Sequence, residues 1–226
     1  MMRSLLVMFS LVLVPAWAGD LSSLTQGETG KGLKEALVQG AEVAVGKLSV
    51  QDGFLGNPKV KIPLPPALAK AEKMLRTVGL QKPADELVTT MNRAAESAVV
   101  EAKPILMDSI RKMTLEDAKA ILTGPEDSAT QYFRKSSGAA ITLKFKPKVA
   151  VATRKVKLAK RYDKVAGQAA ALGLIEKENA NLDDYVTQKA VDGLFLMIAD
   201  QEKAIRKDPI GQASSLLRKV FGAAKS

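Results

Sequence analysis

Lys157, Lys160, Arg161 and Lys164 stand at i, i+3, i+4 and i+7, a spacing that sets four cations on one face of a helix. The chemistry open to such a face is anion binding, to an anionic lipid, a lipopolysaccharide phosphate or an acidic envelope protein. A lysine-rich face held in solvent explains the same spacing without a partner, so both readings stand. A second polar group, Asn92, Arg93 and Glu96, lies in an alanine-rich stretch, with Asn92 and Glu96 one turn apart. Asp192 interrupts the most apolar stretch of the chain and is the candidate to meet them across a bundle. These four side chains form either a working polar cluster or a buried network that satisfies its own hydrogen bonds and sets helix register.

Much chemistry is excluded by what is missing. The chain has no histidine and no cysteine. Ser-His-Asp and Cys-His nucleophilic machinery is therefore closed to it, together with the usual general base and the commonest ligand of zinc, copper and nickel. Disulfides and a lipid-bearing cysteine are closed as well. Carboxylate chemistry and oxygen-only calcium or magnesium sites remain. The acid pairs Glu116-Asp117 and Asp183-Asp184 suit such a site, but each falls where a helix N-terminus favours negative charge, and that role accounts for them. Gly27 to Gly32 resembles a phosphate loop only superficially: the glycine spacing is wrong, Gly32 replaces the required Ser or Thr, and no strand precedes it. No catalytic residue, metal or cofactor is assigned, and the chain is read as non-enzymatic.

Charge is concentrated. Of 34 Lys and Arg and 24 Asp and Glu in the 226 residues, the segment 134–164 holds eleven of the bases and one acid, Asp163. The rest of the chain is balanced at 23 of each, so one segment carries the whole net charge of +10. The first residues form a secretory leader: Arg3 as the positive end, Leu5 to Val14 as the apolar run, Ala16-Trp17-Ala18 as the cleavage site. That run falls short of the about 20 residues a membrane span needs. Cleavage after Ala18 leaves 208 residues, expected in the periplasm or secreted. Export separates the basic segment from nucleic acid, and with Trp17 removed few aromatics remain on which bases could stack. Nucleic acid is accordingly not an expected partner.

The elements that must position these groups read as helices almost throughout. Leu33, Leu37, Ala41, Ala44 and Leu48 step along one helix face. Gln51 to Pro66 breaks the pattern with turn and extended-chain signals and must bury Phe54, Leu55, Val60, Ile62 and Leu64 against the helices. It is either a packed crossover or a lid over an apolar cavity. A helix follows from about Pro66 to Val78, and another from near Pro83 through Leu87, Met91, Ala95, Ala98 and Ala102, interrupted by Pro104 before Ile105 to Met113. Thr114 with Asp117 makes a capping box for a short helix ended at Gly124. Pro125 to Lys135 reads as another short helix ended near Ser136-Ser137-Gly138. Ala139 to Phe145 alternates like a strand, yet no second strand exists to pair with it, so it is read as helix.

The basic helix is expected from about Lys148 to Leu172, with Val151, Leu158, Tyr162, Val165 and Ala169 on its inner side. Asn181 caps a helix containing the all-apolar Leu194 to Ile198, and Asp208-Pro209 opens a final one. The expectation is an all-α, single-domain bundle over 19–226, with about seven to nine helices and one extended crossover.

Several of these stretches, in this order, resemble domain-of-unknown-function family 4197: Gly32 to Leu37, Ile62 to Pro65, Met91 to Glu96, Asp117 to Gly124, Asp192 to Phe195, and Arg206 to Pro209. The resemblance covers nearly all of the chain beyond the leader. It implies an exported helical bacterial protein of a Gram-negative cell and brings no assigned functional residues. The function expected is binding of anionic envelope components through the basic helix; a carrier or sensor with an apolar pocket between helices is the alternative.

Overall fold

Among the described residues, helical periodicity becomes five helical bodies around a shared apolar core. The computed structural model describes residues 26–66, 68, 69, 82–157, 159, 160, 162, 163, 166, 171 and 181–208. The helices are α1 (Gln26–Leu48), α2 (Lys82–Ala98), α3 (Ala102–Lys112), α4 (Leu115–Thr123), α5 (Ser128–Thr153) and α6 (Leu182–Lys207), and a 3-10 turn, Val99–Glu101, joins α2 to α3. Counting that bent pair as one body, the described residues hold fewer helices than the seven to nine expected, and no strand. The expected leader, the helix expected beyond Pro66 and the one expected beyond Pro209 lie outside the described residues, apart from residues 66, 68 and 69.

The bend at 99–101 follows from Pro104. Its ring occupies the space of the carbonyl four residues back, that of Val100, so the α-helical ladder gives way there and resumes at Ala102. The Thr114 capping box forms in both directions, Thr114 Oγ1 accepting from the Asp117 N–H at 3.1 Å and Asp117 Oδ2 from the Thr114 N–H at 3.0 Å. Asn181 caps α6 through the Asp184 N–H, as its position before Asp183 and Asp184 implies.

The main difference from the sequence reading is α5. It runs without a break through Ser136-Ser137-Gly138, Ala139 to Phe145 and Pro147. The expected stop signals are instead packing devices. The Ser136 hydroxyl bonds the Tyr132 carbonyl one turn back at 2.8 Å, Ser137 is buried, and a side chain at Gly138 would meet Phe195 of α6. The buried ridge of α5, Ala129-Phe133-Ser137-Ile141-Phe145-Val149-Thr153, steps by four and packs against α2, α3, α4 and α6. This burial outweighs the local cost of Gly138 and Pro147.

A break does occur, but at Arg154–Val156, later than expected, so Lys148 belongs to α5 and the basic helix restarts at Lys157. The phase shift turns Val151 outward, contrary to expectation, while Tyr162 points inward as expected. Leu196 is also exposed at 42%, although Leu194, Phe195, Met197 and Ile198 around it are buried.

Gln51 to Pro65 crosses the bundle as a packed strap: Phe54, Val60, Ile62 and Leu64 are buried. It passes over α6 at Gly193, where any side chain would stand 2.8 Å from the Phe54 ring.

Candidate functional site

The polar cluster on α2 is occupied by the strap. Asn92 is fully buried; its Oδ1 accepts from the Ile62 N–H at 2.8 Å, and its Nδ2 donates to the Ile62 carbonyl at 2.9 Å and the Val88 carbonyl at 2.8 Å. The side-chain amide thus does for Ile62 what a neighbouring strand would do. One turn on, Glu96 Oε1 accepts from the Phe54 and Leu55 N–H groups at 3.1 Å each. Its Oε2 takes Arg93 Nη1 at 2.6 Å, and Arg93 Nη2 continues to Asp52 at 2.8 Å. The hydrogen bonds to Glu96 and then to Asp52 raise the Arg93 guanidinium above its ordinary value. Asp52 itself takes a left-handed backbone (φ 66°) that turns the chain into the strap. Of the two readings of this cluster, the geometry favours the structural one, since both donors of Asn92 and both oxygens of Glu96 are engaged within the chain.

Asp192 does not join them. It faces α5, accepting from Arg134 at 3.3 Å and from Gln188 at 3.2 Å, and Arg134 lies over the Phe195 ring, 4.7 Å from its centre. The position of Asp192 between two buried turns of α6 gives it the helix shoulder, and from there α5 rather than α2 is within range.

Glu202 was not singled out by sequence reasoning. It is buried on α6, accepts from the N–H groups of Ala129 and Thr130, and pairs with Arg206 at 2.8 Å. The signal was present: Glu202 falls four residues after the buried Ile198 and three before the buried Ile205, on the core face. A cleft of about 20 Å³ beside it, lined by Leu37, Gly40, Ile121, Phe133, Ile198 and Ile205, has room for about one water molecule.

In the basic segment, Lys157 and Lys160 are exposed on one side while Val156, Ala159, Tyr162 and Ala166 are buried on the other. Arg161 and Lys164, the other two candidates, lie outside the described residues. Asp163 accepts from the Leu182 N–H at 2.8 Å. Its carboxyl is raised by desolvation, against that hydrogen bond, with Asp183 and Asp184 adding to the rise. Upstream, Lys146 pairs with Asp184, Lys148 with Glu101 and Arg134 with Asp192. Lys135, Lys144, Arg154, Lys155, Lys157 and Lys160 are exposed and make no ion pair among the described residues.

Among the described residues no three acidic side chains gather to hold a metal ion, and no helix is long and apolar enough to cross a membrane. The acid pairs do what their positions suggested, Asp117 in the capping box and Asp183 beside the Thr153 hydroxyl at the α6 N-terminus.

No curated protein and no solved structure matches the chain. A family model described as "Protein of unknown function (DUF4197)" matches residues 23–222, in accord with the motifs from Gly32 to Pro209. With residues 23–222 of the 226 inside that match, the protein belongs to the DUF4197 family.

Proposed function

We propose that this is an exported, non-enzymatic protein that binds an anionic component of the bacterial envelope through the basic surface of residues 134–164. The observation that carries the reading is the asymmetry of its charges. In residues 134–164 the one acid, Asp163, is engaged by the Leu182 N–H, whereas Lys135, Lys144, Arg154, Lys155, Lys157 and Lys160 face solvent without ion pairs among the described residues. Solvated cations held on rigid helices attract a phosphate-bearing surface at a cost in order already met by folding. Near an anionic membrane each contributes about 1 kcal/mol.

The test is binding to vesicles containing phosphatidylglycerol at low and moderate salt. Replacing Lys157, Lys160, Arg161 and Lys164 by Glu should abolish retention, and added salt should weaken the unaltered protein. Unchanged binding after the four reversals ends the proposal.

A further inference from the structure

The outer side of α5 carries a second pattern. Opposite its buried ridge, and also in steps of four, run Lys135, Ala139, Leu143, Pro147 and Val151, all exposed. Leu143 is 74% and Val151 63% exposed, the two most exposed large hydrophobic side chains among the described residues. Lys144 and Lys148 border this apolar ridge on one flank and Lys146 on the other, Arg154 follows at the helix end, and α5 contains no acid. From Ala139 to Val151 the ridge is about 18 Å long at the helical rise.

We infer that this ridge is the part of the basic surface that enters an anionic phospholipid leaflet, with Leu143, Pro147 and Val151 seated among the acyl chains just below the headgroups and the flanking cations on the phosphates. The inference rests on the proposed function and names its partner. An acidic protein or a soluble polyanion would be satisfied by cations alone. An apolar stripe bordered by cations on both flanks matches the layering of an anionic leaflet, charge outside and hydrocarbon beneath. The ridge needs no rearrangement to act, because α5 is fixed from below by its buried side. Lys146 and Lys148 would exchange partners: their bonds to Asp184 and Glu101 join side chains that are substantially exposed, and such pairs hold weakly in water.

The test compares the purified protein with a Leu143→Ser/Val151→Ser variant on three matrices: phosphatidylglycerol vesicles, phosphatidylcholine vesicles and phosphocellulose, which offers phosphate without hydrocarbon. The expected result is that the variant loses on the order of tenfold in affinity for phosphatidylglycerol vesicles, keeps its retention on phosphocellulose, and that neither protein binds phosphatidylcholine appreciably. Equal vesicle binding by both proteins overturns the inference while leaving the proposed function standing. Failure of the unaltered protein on both vesicles and phosphocellulose overturns the proposed function itself. A dimer that the double substitution dissociates assigns the ridge to a second copy of the chain and also overturns the inference. A Leu143→Trp variant gives an independent reading: its emission should shift to the blue on phosphatidylglycerol vesicles, and an unshifted spectrum refutes insertion.

Discussion

Glu202 on α6 holds Thr130 of α5 twice with one oxygen, accepting from its backbone N–H at 2.9 Å and from its hydroxyl at 2.9 Å. The other oxygen takes the Ala129 N–H at 3.0 Å and Arg206, which in turn donates to the Ile121 carbonyl at the end of α4. One carboxylate therefore caps α5 from a different helix, in place of Asp127, whose own side chain makes no cap bond. Glu202→Ala should cost about 2–4 kcal/mol, because it takes the acceptor from the buried Ala129 and Thr130 N–H groups and uncaps a helix. Glu202→Gln, which keeps an acceptor, should cost about 1–2 kcal/mol. Urea denaturation of both variants checks the order; equal losses would show that shape rather than charge matters there.

The strap depends in the same way on α2. Asn92→Ala removes the partners of both the Ile62 N–H and its carbonyl at a fully buried position. A loss of about 2–4 kcal/mol is expected, with each orphaned group contributing about 1–3. Hydrogen exchange at Ile62 and the neighbouring strap amides should accelerate before the helices do. If Ile62 stays protected in the variant, another group holds the strap.

These two cases mark the boundary of what a sequence displays. The faces of α1 and α2 are visible in it because Leu33 to Leu48 and Leu87 to Ala102 repeat at helical spacing, and caps such as Thr114 and Asn181 act within a single turn. Residue 128 onward is harder. Ser136, Gly138 and Pro147 are local stop signals, and only the packing of Phe133, Ile141, Phe145 and Val149 against four other helices overrides them. The phase error that followed placed Val151 inside. Asp192 failed for a related reason, since a helix position fixes a direction but not which neighbour lies there. Glu202 passed unnoticed because a single acid among apolar residues becomes informative only once the α5 N-terminus is known to face it.

Gly193 and Gly46 offer opposite outcomes from the same substitution. A Cβ at Gly193 would lie 2.8 Å from Phe54 Cε1 and 3.3 Å from Val60 Cβ, both on the packed strap. Gly193→Ala should destabilise by about 1–3 kcal/mol through overpacking. At Gly46, exposed on α1, an added Cβ meets nothing within 4 Å. Gly46→Ala should therefore stabilise by about 0.5–1 kcal/mol, the difference in helix propensity. Thermal melts of the two variants should shift in opposite directions; a shared direction contradicts the packing of the strap on α6.

Alkaline stability should be set in part by Tyr185. Burial, then the neighbouring Tyr162, pushes its hydroxyl up to about 12, and the hydroxyl donates to the Pro63 carbonyl at 3.2 Å. An unfolded tyrosine ionises near pH ~10, so above that the unfolded state binds fewer protons than the folded one and stability falls with rising pH. The contribution is whole below that range and is lost as pH climbs toward the folded value, at no more than about 1.4 kcal/mol per pH unit. Tyr185→Phe should flatten that slope while lowering stability at neutral pH by about 1 kcal/mol through the lost hydrogen bond. Urea midpoints across the alkaline range decide it: an unaltered slope in the variant would assign the dependence to other groups.

Pro147 lies on the exposed ridge of α5 between Leu143 and Val151, inside a helix it should weaken. Lacking an N–H, it leaves the Leu143 carbonyl without a helical donor, a deficit of about 3 kcal/mol in a helix interior. Because this side faces solvent, water takes up part of the deficit. Pro147→Ala is expected to raise stability by about 1–3 kcal/mol, or roughly 2–4 °C in melting temperature for each kcal/mol in a chain of this size. Leu143→Ala, on the same ridge, should change stability by less than about 0.5 kcal/mol, since an exposed side chain has little packing to lose. The pair therefore separates backbone from side chain: a stabilised Pro147→Ala beside a neutral Leu143→Ala places the cost in the helix ladder, whereas a large loss from Leu143→Ala would mean that another part of the chain covers the ridge in solution.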